Sequence, residues 1–142
     1  GGEGGGNRGG AAWEGTRRTV RPGHTVLSNS VGLARHCHTD AQRTYYRKNS
    51  PGLSGDAIEL LHQRGIKALG SAVIACDQAI LDGVTVKSYA HEEYMLPNGI
   101  PLIEELANLE SLPPRCFFVA LPLKIKGGSG SPLRPIALVA KK

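Results

Sequence analysis

An α/β fold is predicted by a helix that leads straight into a buried strand and by two apolar strands near the carboxyl terminus. Apolar residues recur at helical spacing over residues 55–64, and residues 66–75 follow at once as an apolar run. A strand reached directly from a helix is typical of α/β proteins. Two further apolar runs, residues 116–125 and 136–140, flank a Gly/Ser-rich loop, so they are predicted to form a hairpin-like pair.

The first ordered elements are predicted from turn and capping signals. Thr25-Val26-Leu27 follows a Pro-Gly turn and indicates a short strand. The helix over residues 55–64 has Ser54 as its predicted N-cap and Gly65 as its stop signal. Between them the apolar residues supply one face that can pack on a sheet.

The second half of the chain is predicted to hold shorter elements. Residues 77–89 are expected to be mostly loop, with a turn at Asp82-Gly83. Residues 101–106 indicate a short strand or turn, and residues 105–112 a weak helix that ends before two prolines. The strand over residues 116–125 is expected to break or bulge at its internal proline.

Charge and composition divide the chain at its amino-terminal end. Residues 1–50 hold eight Lys/Arg and three acids, whereas residues 51–142 hold nine of each. Residues 1–20 are Gly-rich and are predicted to be a disordered leader before a domain over residues 21–142. A nucleic-acid-binding arm is the less favoured alternative, because the arginines are scattered and no aromatic residues alternate with them.

The spacing of the cysteines and the hydropathy of the chain indicate the cellular compartment of the protein. The chain holds three cysteines with no Cys-x-x-Cys spacing, which indicates reduced thiols and a cytoplasmic protein. No apolar run approaches the length of a membrane span, and no signal peptide pattern is found at the start. We therefore expect no membrane partner.

His91 and Glu104 are the residue types that bind a divalent metal. A zinc- or manganese-type ion takes neutral imidazole and carboxylate ligands. A Pro-Asn-Gly turn signal separates the two residues, so a turn could bring them to one site. On spacing alone, a surface histidine and a solvated or salt-bridged acid remain the alternative, since catalytic zinc usually has three protein ligands.

Several motifs occur along residues 22–135 in an order typical of one enzyme family. They are Pro22-Gly23-His24-Thr25-Val26-Leu27, Tyr45-Tyr46 with Pro51-Gly52-Leu53, residues 57–70 with Arg64-Gly65-Ile66, Ala90-His91 with Gly99-Ile100-Pro101-Leu102-Ile103-Glu104, and Val119-Ala120-Leu121-Pro122-Leu123 with Gly127-Gly128-Ser129-Gly130-Ser131-Pro132-Leu133-Arg134-Pro135. In these motifs the chain resembles the cyclase family of metal-dependent hydrolases, which contains bacterial kynurenine formamidase (arylformamidase). The resemblance implies an α/β fold of the swivelling β/β/α type, incomplete at its N-terminal side.

The resemblance also implies a function. It makes His91 and Glu104 metal ligands, with zinc as the expected metal and manganese as the alternative. It implies hydrolysis of a carbon–nitrogen amide bond in a small-molecule substrate, namely N-formylkynurenine to kynurenine and formate in tryptophan catabolism. Asp77 and Arg134 fall at positions that could line the pocket, and the relatives form homo-oligomers.

One departure from the family pattern changes the expected activity. The family's main metal motif, His-x-Gly-Thr-His-x-Asp, is absent, so the catalytic residues are expected in a missing N-terminal half. The stretch His36-Cys37-His38-Thr39-Asp40 imitates that motif with the wrong spacing and is interpreted as a loop, with adventitious metal binding as the less favoured alternative. The truncated chain is therefore expected to be inactive or nearly so, and a non-catalytic remnant or interaction module is the alternative.

Overall fold

The computed structural model describes residues 19–29, 51–78, 80–81 and 84–141. These residues fall into two compact units, one ending at Ala107 and one beginning at Asn108. Most of the predicted leader lies outside the described residues, and so does the His36 to Asp40 stretch. Val20, at the predicted end of the leader, is buried in the core.

A three-stranded parallel sheet forms the centre of the first unit. In chain order the unit contains β1 (Thr25–Ser28), helix α1 (Gly55–Gln63), β2 (Ala68–Ser71), β3 (Ile80–Leu81), β4 (Val84–Thr85) and β5 (Leu102–Ile103). The sheet order is β1-β2-β5, with Val26 opposite Leu69 and Gly70 opposite Ile103. Parallel neighbours require a crossover connection, and α1 lies in the one between β1 and β2. The predicted α/β class is confirmed.

Helix α1 begins and ends close to the predicted residues. Ser54 has the extended backbone of an N-cap, and Gly65 follows the helix with a left-handed φ of 68°. The Ser54 side chain makes no capping hydrogen bond, and its Oγ is buried without a hydrogen-bond partner among the described residues. Ile58 faces inward from the helix and is fully buried. Packing of this face, more than the cap, therefore stabilises the helix.

The hydrophobic core joins the helix, the sheet and the segment that follows β4. Its buried members are Val20, Ile58, Ile66, Leu69, Cys76, Ala90 and Met95. Leu69 lies on the central strand and is fully buried. Strands of parallel sheets are usually buried on both faces. The core thus fixes the segment around residue 90 against the sheet.

Two predictions need correction, one for a strand of the first unit and one for a helix at its end. The strand predicted over residues 66–75 is limited to Ala68–Ser71, because Ser71 Oγ accepts the backbone N–H of Val73 and draws the chain out of the ladder. Residues 77–89 are mostly loop, as predicted, because the antiparallel strands β3 and β4 within them are two residues long each.

The weak helix predicted over residues 105–112 is also wrong. Glu105 and Asn108 have φ angles of 54° and 62°, and a left-handed residue cannot continue a right-handed helix. Only a single 3₁₀ turn forms, at Leu109–Ser111.

The second unit contains one antiparallel strand pair. Strands β6 (Phe117–Val119) and β7 (Ile136–Leu138) pair with Phe118 opposite Ala137, and an isolated bridge joins Pro122 to Leu133. The predicted hairpin-like pair is confirmed, with shorter strands than the apolar runs indicate. Within the described ranges, no helix has the length and apolar character that crossing a bilayer requires.

Gly52 lies tightly against the segment that contains Asp77. A Cβ atom at Gly52 would overlap the backbone of Asp77 and Gln78. The hydrogen bonds from Leu53 N to Cys76 O (3.1 Å) and from Gln78 N to Leu53 O (2.9 Å) hold the two segments together there.

Replacing Gly52 with alanine is therefore expected to lower the free energy of unfolding by about 1–3 kcal/mol through overpacking. Urea denaturation followed by circular dichroism measures this loss. Gly130→Ala is the matched control, because no described atom lies within 4 Å of a Cβ built at Gly130. Equal midpoints for the two variants would contradict the close approach.

Candidate metal site

The parallel sheet places the candidate site at the carboxyl ends of its strands. Glu104 directly follows β5, and Asp77 lies in the buried segment that follows β2. Because β2 and β5 are parallel neighbours, these two ends meet at one edge of the sheet. In open α/β sheets this edge is where ligands bind.

His91 lies on a single π-helical turn, Ala90–Tyr94. The backbone N–H of Met95 donates to the Ala90 carbonyl at 3.0 Å, and both of those residues are fully buried. The buried ends anchor the turn, while the His91 side chain keeps about one third of its surface exposed (34%). Single π-helical turns occur often at functional sites.

The predicted Pro-Asn-Gly turn reverses the chain between His91 and Glu104. A 3₁₀ turn at Leu96–Asn98 ends at Gly99, whose φ of 71° lies in the left-handed region. The Asn98 side-chain amide donates to the carbonyl of Tyr94 at 3.0 Å. The chain then enters β5, and Glu104, directly after this strand, lies beside the His91 imidazole.

His91 and Glu104 are in direct contact. His91 Nε2 lies 3.2 Å from Glu104 Oε1. Burial raises the pKa of the Glu104 carboxyl, and the neighbouring His91 opposes that shift through its charge and hydrogen bond. The predicted juxtaposition of these two residues is therefore what the structure shows.

Asp77 lies behind the imidazole and is almost completely buried, with 1% of its side chain exposed. Its two carboxylate oxygens accept from Ser88 Oγ at 3.0 Å each, and one of them accepts the Ala90 N–H at 2.7 Å. Ser88 Oγ lies 2.8 Å from His91 Nδ1. Asp77, predicted as a pocket residue, thus joins His91 and Glu104 in one cluster.

Ser88 is the member of the cluster that the sequence did not single out. It stands three residues before His91, a spacing at which side chains on one helical turn meet. That spacing could have identified it. Arg134, the other predicted pocket residue, is an exposed residue of the second unit, between the Leu133 bridge and β7. Its pocket role stays a prediction.

The donor set fits two ligands of a metal ion. Two donors each about 2.0–2.1 Å from a tetrahedral zinc lie about 3.3 Å apart, close to the observed separation of His91 Nε2 and Glu104 Oε1. Across the part of the chain that the structure describes, no group of three or more His, Cys, Asp or Glu side chains is placed to hold a metal. The described residues therefore offer a pair of donors and not a full coordination shell.

A search against protein-family models finds no match to the chain. Among curated proteins, the isatin hydrolase of Roseibium aggregatum is 40% identical over 94 residues, which are 66% of this chain and 35% of that protein. This relative therefore matches the chain over a minority of its own length.

Solved isatin hydrolases share the fold. One, bound to the product analogue thioisatinate, is 28% identical with a TM-score of 0.67, and the match covers 92% of this chain and 51% of that one. Isatin hydrolase A from Labrenzia aggregata, bound to benzyl benzoate, is 30% identical with a TM-score of 0.71, covering 92% and 52%. The chain spans about half the length of these solved relatives.

These matches support one part of the resemblance to the cyclase family and not another. The homologues are isatin hydrolases, which have the α/β fold of the cyclase-family metal hydrolases. They do not support the finer prediction of a kynurenine formamidase. Over the part that it shares with them, this chain is thus a homologue of isatin hydrolases.

Proposed function

We propose that this chain carries part of a metal-dependent hydrolase site for cyclic amides of the isatin class. His91 Nε2 and Glu104 would be two of the metal's ligands, and their 3.2 Å separation is the observation that carries the proposal. The similarity to isatin hydrolases supports the choice of substrate class, because isatin is itself a cyclic amide. N-formylkynurenine, an open-chain amide, is the alternative substrate to assay beside it.

The expected metal is zinc, with manganese as the alternative, because an imidazole and a carboxylate suit both. When bound, such an ion supplies Lewis acidity and a water that ionises near neutral pH. Glu104 offers a negative charge at a half-buried place, where burial already raises its pKa. A cation beside this carboxylate would offset the cost of burying its charge.

The activity of the isolated chain depends on what completes the coordination. Catalytic zinc usually has three protein ligands and a water. We propose that the other ligands come from outside the described residues, since solved relatives are about twice as long as this chain. The chain alone is therefore expected to hydrolyse isatin slowly or not at all. A cytoplasmic location and a homo-oligomeric state, with no nucleic-acid partner, belong to the same proposal.

A non-catalytic interaction module is the second candidate function. The observation that favours it is the exposure of large apolar side chains in the second unit, including Phe117, Leu121 and Leu138. Exposed apolar surface of this kind is common at protein–protein contacts. This candidate predicts no specific contribution of His91 or Glu104 to metal binding, and a metal titration therefore separates the two.

Zinc binding to the full chain is expected to depend on both proposed ligands. Isothermal titration would use a background in which His36 and His38 are replaced by glutamine, which removes the other metal-binding candidate of the sequence. Loss of an outer-shell partner weakens metal binding roughly 10–100-fold. His91→Gln and Glu104→Gln each remove a direct ligand, so each is expected to weaken zinc binding by more than that.

His62→Gln is the matched control for this titration. His62 lies on α1, and its ring packs beside Tyr94, with the ring centroids 5.6 Å apart. This variant is expected to bind zinc as the background does. Unchanged affinity in both the His91 and the Glu104 variants would contradict the proposed site.

A further inference from the structure

The strand pair of the second unit carries large apolar side chains together on one face. Phe117 lies directly opposite Leu138, and Val119 lies directly opposite Ile136. Residues directly opposite each other in an antiparallel pair project to the same face, and so do alternate residues along one strand. These four side chains therefore form one continuous apolar surface.

The same surface extends past the ends of the two strands. The bridge between Pro122 and Leu133 continues the register of β6 and β7, so Leu121 lies opposite Arg134. Both residues fall on the apolar side by alternation. The hairpin face, as we call this surface, is formed by Phe117, Val119, Leu121, Arg134, Ile136 and Leu138.

The hairpin face is the more exposed side of the strand pair. Phe117 is 68% exposed, Leu121 75% and Leu138 58%, whereas Phe118 and Ala137 on the other side are half-buried. An antiparallel sheet usually packs its apolar face on a core and turns its polar face to water. A pair of strands alone is also marginally stable in water. Both facts indicate that the hairpin face packs against another surface.

We propose that the hairpin face is the docking surface for the part of the isatin hydrolase fold that lies beyond the region shared with this chain, called here the additional segment. The match to isatin hydrolase A from Labrenzia aggregata covers 92% of this chain, so it includes most of the second unit. It covers 52% of that protein. The strand pair thus has a counterpart in a protein with about as much chain again to pack against it.

Charge argues against two other occupants of the hairpin face. Residues 108–142 hold six Lys/Arg and one acid, so the second units of two copies would repel each other if their hairpin faces met. Residues 1–50 of this chain hold eight Lys/Arg and three acids, and they are no better matched in charge. The additional segment is therefore the occupant that we infer.

Arg134 indicates what the docking surface recognises. It is a cation on an otherwise apolar face, and burying an unpaired charge is costly unless a group of opposite charge accompanies it. The additional segment is therefore expected to place an Asp or Glu side chain opposite Arg134, within an apolar surface. This role of Arg134 needs no contact with substrate.

Cysteine labelling measures whether the additional segment covers the hairpin face. Leu121→Cys is made in the full chain and in a chimera, in which this chain takes the place of the matching half of isatin hydrolase A. Alkylation followed by peptide mapping gives the rate at each position. We expect position 121 to react rapidly in the full chain and at least about 10-fold more slowly in the chimera, because buried thiols are unreactive.

Ser129→Cys is the matched control, since Ser129 is exposed in the loop between β6 and β7. Position 129 is expected to react rapidly in both proteins. Equal rates at position 121 in the full chain and in a chimera that unfolds cooperatively in urea would overturn the inference. Protection of position 121 that grows with the concentration of the full chain would assign the face to a second copy and overturn it too.

Arg134→Gln tests the expected ion pair by removing the charge. In the chimera it is expected to lower the urea midpoint, because the carboxylate opposite loses its partner, and in the full chain it is expected to leave the midpoint unchanged. Lys141→Gln removes a charge from an exposed residue outside the hairpin face and is expected to shift neither midpoint. An Arg134→Gln chimera with the midpoint of its parent would overturn the ion pair.

A chimera that fails to fold does not end the test. The same cysteine is then placed at the counterpart of Leu121 in isatin hydrolase A itself, where slow alkylation would support the docking surface and rapid alkylation would overturn it. The inference rests on the homology and on the second unit, and not on the proposed metal site. If position 121 is protected and zinc binding ignores His91 and Glu104, the proposed function fails while this inference stands.

Discussion

Asp77→Ala is expected to destabilise the chain by about 3 kcal/mol or more, the largest loss among the site variants. Truncation leaves the Ser88 hydroxyl and the Ala90 N–H without their shared acceptor. A buried donor left unpaired costs about 1–3 kcal/mol, and bonds to a charged group lie at the upper end. Urea denaturation followed by circular dichroism gives the free energy of unfolding.

Two controls isolate the cause of that loss. Asp77→Asn keeps an acceptor in place and is expected to lose less stability than Asp77→Ala. Glu110→Ala removes an exposed carboxylate from a 3₁₀ turn and is expected to change stability by less than about 0.5 kcal/mol. An Asp77→Ala chain as stable as Glu110→Ala would show that the buried network contributes little.

The Cys76 thiol is expected to be almost inert in the folded chain. Burial, with a smaller contribution from the charge of Glu104, raises the pKa of Cys76 from 9.0 to about 12. A shift of this size lowers the thiolate fraction near neutral pH about 10³-fold, and the thiolate is the reactive form. Cys116, which is only half-buried, is expected to react much faster with an alkylating reagent.

Alkylation followed by peptide mapping resolves the rate at each cysteine. Cys76 is expected to react at an ordinary rate only after urea has unfolded the chain. Because its pKa is higher in the folded chain, the folded state holds the proton more tightly, and stability is expected to fall as the pH rises above about 9. Equal rates at Cys76 and Cys116 in the folded chain would contradict this burial.

Local signals predicted the elements whose structure is decided locally. Helix α1, strand β1 and the β6–β7 pair follow from capping, turn and periodicity signals, and all three are found. The helix predicted over residues 105–112 fails because the chain leaves β5 through left-handed residues at Glu105 and Asn108. That path is set by contacts distant in sequence, among them the hydrogen bond from Leu106 N to Ser71 O at 2.9 Å.

The two proposed ligands were predictable from the sequence, and Ser88 could have been found from its spacing to His91, but the contact of Ser88 with Asp77 was not predictable. His91 and Glu104 could be proposed from residue type, an intervening turn and the family resemblance. The link from Asp77 through Ser88 to His91 depends on how the segment after β2 packs against the π-helical turn. No local pattern encodes that packing, because it joins residues 11 positions apart on separate segments.

Anomalous X-ray diffraction from crystals of the chain grown with zinc tests the central claim most directly. We expect an anomalous peak about 2.0–2.2 Å from both His91 Nε2 and a Glu104 carboxylate oxygen, with Ser88 still bonded to Nδ1. A peak bound only to other residues, with His91 and Glu104 both left without metal, would contradict the claim that these two side chains form a metal site.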